Sequence, residues 1–236
     1  MIKKILSSLL VSSALFVFAT TSSMADRPTF SIGYSAAYGG YAASGTETEG
    51  AGVVETHKRS ESGAFGYSSL FLELNFADRV TVGASWMADA VETEMSSRTD
   101  SLCSSPTSSH TACPTAGNTG TSTVKAEFSN LVTGYVELNI WNGLYAKYGV
   151  MEMDVNTKES LHTSATYANA SMDGETYGFG WKGSFDNGVF IKTETLMQDW
   201  TDISLDATGS TGEDNNNSIT ASLSGATATI SIGRAF

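Results

Sequence analysis

The last residues of the chain restrict its fold more than any other part. The run Ala226-Thr227-Ala228-Thr229-Ile230-Ser231-Ile232-Gly233-Arg234-Ala235-Phe236 alternates with a period of two. Ala226, Ala228, Ile230, Ile232 and Phe236 share one parity; Thr227, Thr229, Ser231, Gly233 and Ala235 share the other. Successive strand residues point to opposite faces, so this is a strand with one apolar face and one small, polar face. Such a strand suits a wall between lipid and a barrel interior. Chain termini usually fray unless tied down. A final strand that pairs with the first to close a barrel is tied down by that closure.

The other end points to export. Lys3 and Lys4 precede a mostly apolar, serine-broken stretch from Ile5 to Ala19, and Ser23-Met24-Ala25 offers small residues for cleavage before Asp26. This pattern predicts a signal peptide over 1–25 and a mature barrel domain over 26–236. The apolar run is too short to span a bilayer of ~30 Å.

Composition excludes several classes. Without residues 1–25 the chain loses Lys3 and Lys4 but no acid, so the formal net charge of −12 becomes −14. So acidic a chain does not suit nucleic acid. Gly is abundant at 23 residues and Pro scarce at 3, which suits an all-β chain with many turns. No cofactor motif is present. Cys103 and Cys113 are the only cysteines. In an exported chain they predict a disulfide across a short loop, a closure contributing ~2–3 kcal/mol. A zinc site would need paired Cys/His spacings that are not there.

Eight alternating segments are expected, near 29–41, 62–76, 80–94, 123–140, 144–154, 174–185, 189–202 and 218–236. Ala77-Asp78-Arg79, Trp141-Asn142-Gly143 and Asp186-Asn187-Gly188 read as tight turns, Asn-Gly being a strong hairpin signal. The other connections, 42–61, 95–122, 155–173 and 203–217, read as long polar loops. Short turns at one end and long loops at the other predict an eight-stranded antiparallel up-and-down transmembrane β-barrel. A soluble barrel would place its charged parity outside. Here the apolar parity is continuous, so the charges must face inward.

Those charges are Glu73, Glu137, Lys147, Lys182, Lys192 and Glu194. Symmetric pairing about the turns sets Glu137 opposite Lys147 and Lys182 opposite Lys192. The second pair requires carboxylates such as Glu194 and Glu73 between its members. The expected result is a charge layer that plugs the lumen, since an eight-stranded interior is barely wider than its own side chains. The inward glycines Gly33, Gly83, Gly178 and Gly180 are where a narrow channel would leave gaps.

Aromatics read as interfacial girdles: Phe30, Phe76, Trp141, Phe185 and Phe236 at one rim, Tyr38, Trp86, Phe128 and Tyr177 at the other. His57, His110 and His162 fall in three different loops and read as solvated. So do the many loop acids, including Glu47, Glu49, Glu55, Glu92, Asp100, Asp206, Glu213 and Asp214. No metal site is expected. His162-Thr163-Ser164 is similar to the His-x-Ser element of barrel lipid A deacylases, but the match is three residues long; the chain reads as non-enzymatic.

Taken with the signal peptide and the terminal Phe236, the eight strands resemble the small outer-membrane barrels of the OmpX, OmpA transmembrane-domain and Opa type. Leu144-Tyr145-Ala146-Lys147-Tyr148-Gly149-Val150 and Gly188-Val189-Phe190-Ile191-Lys192-Thr193-Glu194 are the segments most similar to that superfamily. Arg234 departs from its terminal signal. The resemblance implies an outer-membrane location in contact with lipid and lipopolysaccharide. It also implies periplasmic chaperones, with Ile230, Ile232 and Phe236 read by the barrel-assembly machinery. It implies outer loops that serve adhesion, shielding or envelope integrity toward an unknown ligand, or, as in OmpW-like barrels, a narrow path for small solutes.

Overall fold

The computed structural model describes residues 28–49, 55–76, 79–87, 89–93, 95–101, 119–160, 166–208 and 218–236. The predicted signal peptide, both cysteines, His110 and the His162-Thr163-Ser164 element lie outside these residues, as does most of the Ala77-Asp78-Arg79 turn.

Every regular element among the described residues is a strand. They are β1 (Thr29–Glu49), β2 (Glu55–Phe76), β3 (Val80–Met87), β4 (Val91–Glu92), β5 (Ser96–Ser101), β6 (Thr119–Trp141), β7 (Leu144–Ser160), β8 (Thr166–Tyr167), β9 (Ala170–Ser184), β10 (Val189–Trp200), β11 (Ile203–Thr208) and β12 (Ser218–Ala235). Eight of them form a ring in the order β1-β2-β3-β6-β7-β9-β10-β12, all antiparallel. β12 then pairs with β1 from Ser31↔Ala235 to Thr48↔Ser218 and closes it. The final residue takes part, because the Phe236 N–H donates to the Phe30 carbonyl at 2.8 Å. The short strands extend the wall: β4 and β5 continue on β6, β11 continues on β12, and β8 pairs with β11.

The two Asn-Gly turns differ. Asn142 (φ 46°) and Gly143 (φ 82°) both take the left-handed conformation that a two-residue turn with right-twisted strands requires. At the other turn only Gly188 does, at φ 82°. Its N–H donates to Phe185 at 3.0 Å, and Asn187 Oδ1 caps the Val189 N–H at 3.1 Å. That is a three-residue turn with a glycine bulge.

Among the described residues, the predicted long loops are mostly strand. Instead of a loop over 42–61, β1 and β2 stay paired out to Glu49↔Glu55. β6 and β7 stay paired out to Thr123↔Ser160. Backbone pairing does not require an apolar face, so a polar hairpin outside the lipid can continue the ladder below it. The β1 strand spans Thr29–Glu49, about twice the ~10 residues that a bilayer needs, so the ring projects well beyond it. The third expected strand is corrected in the other direction: β3 ends at Met87 and not at 94, and its line resumes in β4 and β5 against β6 only.

One local feature reverses the faces. Asn130 adopts φ 54°, and the β6–β7 register shifts between Ser129 and Val132. This bulge adds one residue to β6. Below it Thr133, Tyr135 and Glu137 point inward and are buried; above it the inward parity becomes even. Phe128, predicted to lie in the outer girdle, therefore packs instead against the interior cluster of Met87, Leu131, Met151, Met153, Val155 and Met172.

Candidate functional site

The six predicted lumen charges converge. Glu137 stands opposite Lys147, and Lys182 opposite Lys192, as turn symmetry implies. The Lys192 ammonium is the hub. It donates to Glu73 Oε1 at 2.6 Å and to Glu137 Oε1 at 2.5 Å, and Glu194 Oε1 lies at 3.7 Å. Lys147 donates to both oxygens of Glu194 at 2.9 and 3.1 Å and sits 3.7 Å from Glu137. Lys192 and Glu73 are 2% and 1% exposed, which makes this a desolvated network in which each charge depends on the others.

The repulsion between Lys182 and Lys192 is avoided as the sequence requires, though by one of the two acids. Glu73 lies between them, its Oε2 3.9 Å from Lys182, while Glu194 is committed to Lys147. Lys182 turns to the rim, donating to Asn75 Oδ1 at 3.3 Å with its ammonium 4.2 Å from the Phe190 ring. Asn75 also accepts from Thr81 and donates to Ser31, both at 2.9 Å.

Two members of the network were not singled out in the sequence. The Tyr135 hydroxyl donates to Glu73 Oε1 at 2.9 Å, and the Tyr145 hydroxyl to Glu194 Oε1 at 2.8 Å. Tyr135 also presents its ring 3.8 Å from the Lys147 ammonium. Their position two residues from Glu137 and Lys147, on the same parity, is the signal that marks them.

Aromatic rings close the layer by lying over glycines. Four cross-strand pairs match a ring with a glycine: Gly33↔Phe71, Gly83↔Tyr135, Tyr145↔Gly180 and Phe190↔Gly233. A Cβ added to these glycines would come within 2.2 to 2.4 Å of the opposing ring. Three of the four glycines at which a channel would leave gaps are thus covered. The fourth, Gly178, would bring a Cβ to 2.0 Å from the Thr195 carbonyl oxygen. Above the charges a void of about 40 Å³, walled by Ser35, Ser69, Thr133 and Ser231, has room for roughly three waters. The apolar methionine cluster lies above it.

The outer face has the reverse character. Ile32, Leu72, Leu138, Ile140, Ile230 and Ile232 are 44% to 59% exposed. On β9 the apolar band runs from Phe185 to Tyr177 and stops at the exposed Glu175, matching the ~9–11 residues of a tilted membrane-crossing strand. Trp141 and Phe236, 76% and 66% exposed, edge one rim; Tyr38, Trp86 and Tyr177 edge the other. A continuous apolar exterior around a buried charged interior is the inverse of a soluble barrel. The chain is a transmembrane β-barrel of eight strands.

No protein-family model matches this barrel, and no curated protein matches it. Solved structures similar to it include the outer membrane protease OmpT from Escherichia coli, at 11% identity and TM-score 0.48, covering 92% of this chain and 100% of that one. The outer membrane protein OprG from Pseudomonas aeruginosa is 10% identical with TM-score 0.45, covering 86% of this chain and 96% of that one. The attachment invasion locus protein Ail of Yersinia pestis is 13% identical with TM-score 0.31, covering 84% and 98%. The fold assignment rests on the closed register and the inverted polarity, not on these likenesses.

Of the remaining predicted residues, Ile230 and Ile232 lie on the lipid face, and Phe236 sits at the rim with the Arg234 guanidinium 5.3 Å from its ring. His57 lies in β2 opposite Glu47, in paired strand and not in a loop. Among the described residues, no cluster of His, Cys, Asp and Glu has metal-binding geometry.

Proposed function

We propose that this protein is a non-enzymatic bacterial outer-membrane surface barrel whose lumen is closed and whose projecting hairpins make the functional contacts. The observation that carries this reading is the network centred on Lys192. Three carboxylates, two buried ammoniums and two tyrosine hydroxyls fill the cross-section, and four rings lie over Gly33, Gly83, Gly180 and Gly233. A solute would have to break a desolvated charge network to pass. Activity then belongs to the part outside the lipid, the upper halves of β1, β2, β6 and β7, in adhesion, shielding or envelope integrity.

In this reading residues 1–25 direct export and are removed, and Ile230, Ile232 and Phe236 engage the assembly machinery after periplasmic chaperoning. The termini and tight turns face the periplasm, lipopolysaccharide surrounds the outer rim, and Cys103 and Cys113 staple the connection after β5. A narrow solute path is the second reading. It is favoured by one observation: between Asp199↔Ser224 on β10 and Ile203↔Ala221 on β11 the ladder along β12 is interrupted, beside an open depression lined by Ala43, Trp200 and Leu223.

Single-channel conductance of refolded protein separates the two. Wild type is expected to be silent in a planar bilayer, and Glu137→Ala and Lys192→Ala to conduct. Steady conductance in the wild type would overturn the closed barrel in favour of the solute path.

A further inference from the structure

The thioethers of this barrel are not spread through it. Six methionines fall among the described residues: Met87, Met95, Met151, Met153, Met172 and Met197. Four of them belong to one interior cluster, at 3%, 2%, 6% and 3% exposure for Met87, Met151, Met153 and Met172. The lipid face needs apolar side chains as well, yet it is built of Leu, Ile, Val and aromatics, with Met197 among them. Hydrophobicity alone therefore does not account for where the methionines are.

Their placement puts four thioether side chains in one buried cluster. Met153 and Met172 are direct cross-strand partners, both inward. Directly opposed residues have Cβ atoms ~4.5–5.5 Å apart. Met151 lies two residues along the same inward face of β7, a rise of ~7 Å, within reach of a three-bond side chain. Met87 packs in the same cluster and, with Met151, roofs the hydroxyl-lined void above the charge layer. Thioethers are neutral, polarisable donors that bind soft cations and leave hard ones in water. Three or four of them buried in one cluster form a ligand set for a soft monovalent ion.

We propose that Met151, Met153 and Met172, with Met87, form a binding site for a soft monovalent cation of the copper(I) and silver(I) class. Binding exchanges the ligands that carry the ion for sulfur lone pairs and involves no electron transfer. The site lies on the outward side of the charge layer, so it faces ions arriving from outside the cell and does not depend on whether the lumen conducts.

Silver(I) nitrate is the probe, in chloride-free buffer with refolded full-length barrel, read by calorimetry. The wild type is expected to bind one ion per chain with a site that Met151→Leu/Met153→Leu/Met172→Leu weakens at least 10-fold. Leucine keeps the volume and apolarity of methionine, and retention of the heat-modifiable gel shift shows that the variant is folded. Met153→Leu and Met172→Leu singly test the same point with less disturbance. Met95→Leu/Met197→Leu is expected to bind as the wild type does. X-ray absorption at the silver edge is expected to show sulfur neighbours. Absence of binding by the wild type, equal binding by the triple variant, loss in the control variant, or oxygen and nitrogen neighbours alone would each overturn the site and leave the thioethers as packing.

Discussion

The Tyr135 ring lies across Gly83, its direct cross-strand partner, so closely that a Cβ on Gly83 would come within 2.4 Å of Tyr135 Cζ. That contact aims the Tyr135 hydroxyl at Glu73, 2.9 Å away. A side chain at position 83 must therefore displace both the ring and the hydrogen bond. Gly83→Val is expected to destabilise the barrel by about 2–4 kcal/mol, combining overpacking with a carboxylate that loses a donor. Urea unfolding in lipid vesicles measures it. Equal stability of Gly83→Val and wild type would show that the ring is not held there.

Lys192 and Lys182 face one another in the register but differ in burial, with side chains 2% and 22% exposed. Lys192→Met leaves Glu73, Glu137 and Glu194 around a vacant hub. It is expected to cost about 3–5 kcal/mol, the range for breaking a buried ion pair from one side. Lys182→Met is expected to cost less than about 1 kcal/mol, because water screens the rim. The same unfolding assay ranks them, and a reversed order would refute the hub.

Outside the lipid, Lys125 and Lys158 bracket Glu92 and Glu127 on the outer face of β4, β6 and β7. Hydrogen bonds from Lys125 and Lys158 hold Glu92 below its usual 4.5, and hydrogen bonds from Lys158 and Asn156 do so for Glu127. The Glu127 and Glu92 carboxylates raise Lys158 above 10.5. The acids' contribution is therefore complete above pH 4.5 and lost as pH falls through their lowered values. That of Lys158 is complete below pH 10.5 and lost as pH rises through its raised value. The pairing is expected to be flat with pH between these limits. Hydrogen exchange across residues 123–127 and 156–160 checks it, with lower protection, after correction for the intrinsic exchange rate at each pH, expected below pH 4 and in high salt.

Asn130 carries the bulge at φ 54°. Asn130→Gly is expected to be neutral to within about 0.5 kcal/mol, and Asn130→Val to cost about 1–2 kcal/mol, since a β-branched residue is strained there. Deleting Asn130 would remove the extra residue and set Leu131 alone opposite Met153, so Phe128 would keep its inward face and Glu127 its outward face. Retention of the folded, heat-modifiable species on deletion is the expected outcome, whereas inserting a second residue beside Asn130 is expected to turn Phe128 outward and abolish that species.

The sequence by itself determined the barrel and the sign of its faces. A period of two is a local property, so the parity of Ile230, Leu72, Glu137 and Lys147 could be read without a neighbour. Turn chemistry then set the register, which is why Glu137↔Lys147 and Lys182↔Lys192 were legible in advance. Tyr135 and Tyr145 were on the readable face, but only opposition to Gly83 and Gly180 shows that their rings lie flat and reach the carboxylates. The tertiary structure decided what period and turn chemistry do not encode. Strand length was one such matter: polar segments such as Glu47–Glu49 and His57–Arg59 pair because a backbone ladder continues wherever a partner is already in register. The other was the face exchange at Asn130. A single residue in a left-handed conformation leaves no mark on hydrophobic periodicity except a slipped phase, and it sent Phe128 from the expected girdle into the interior beside the methionines.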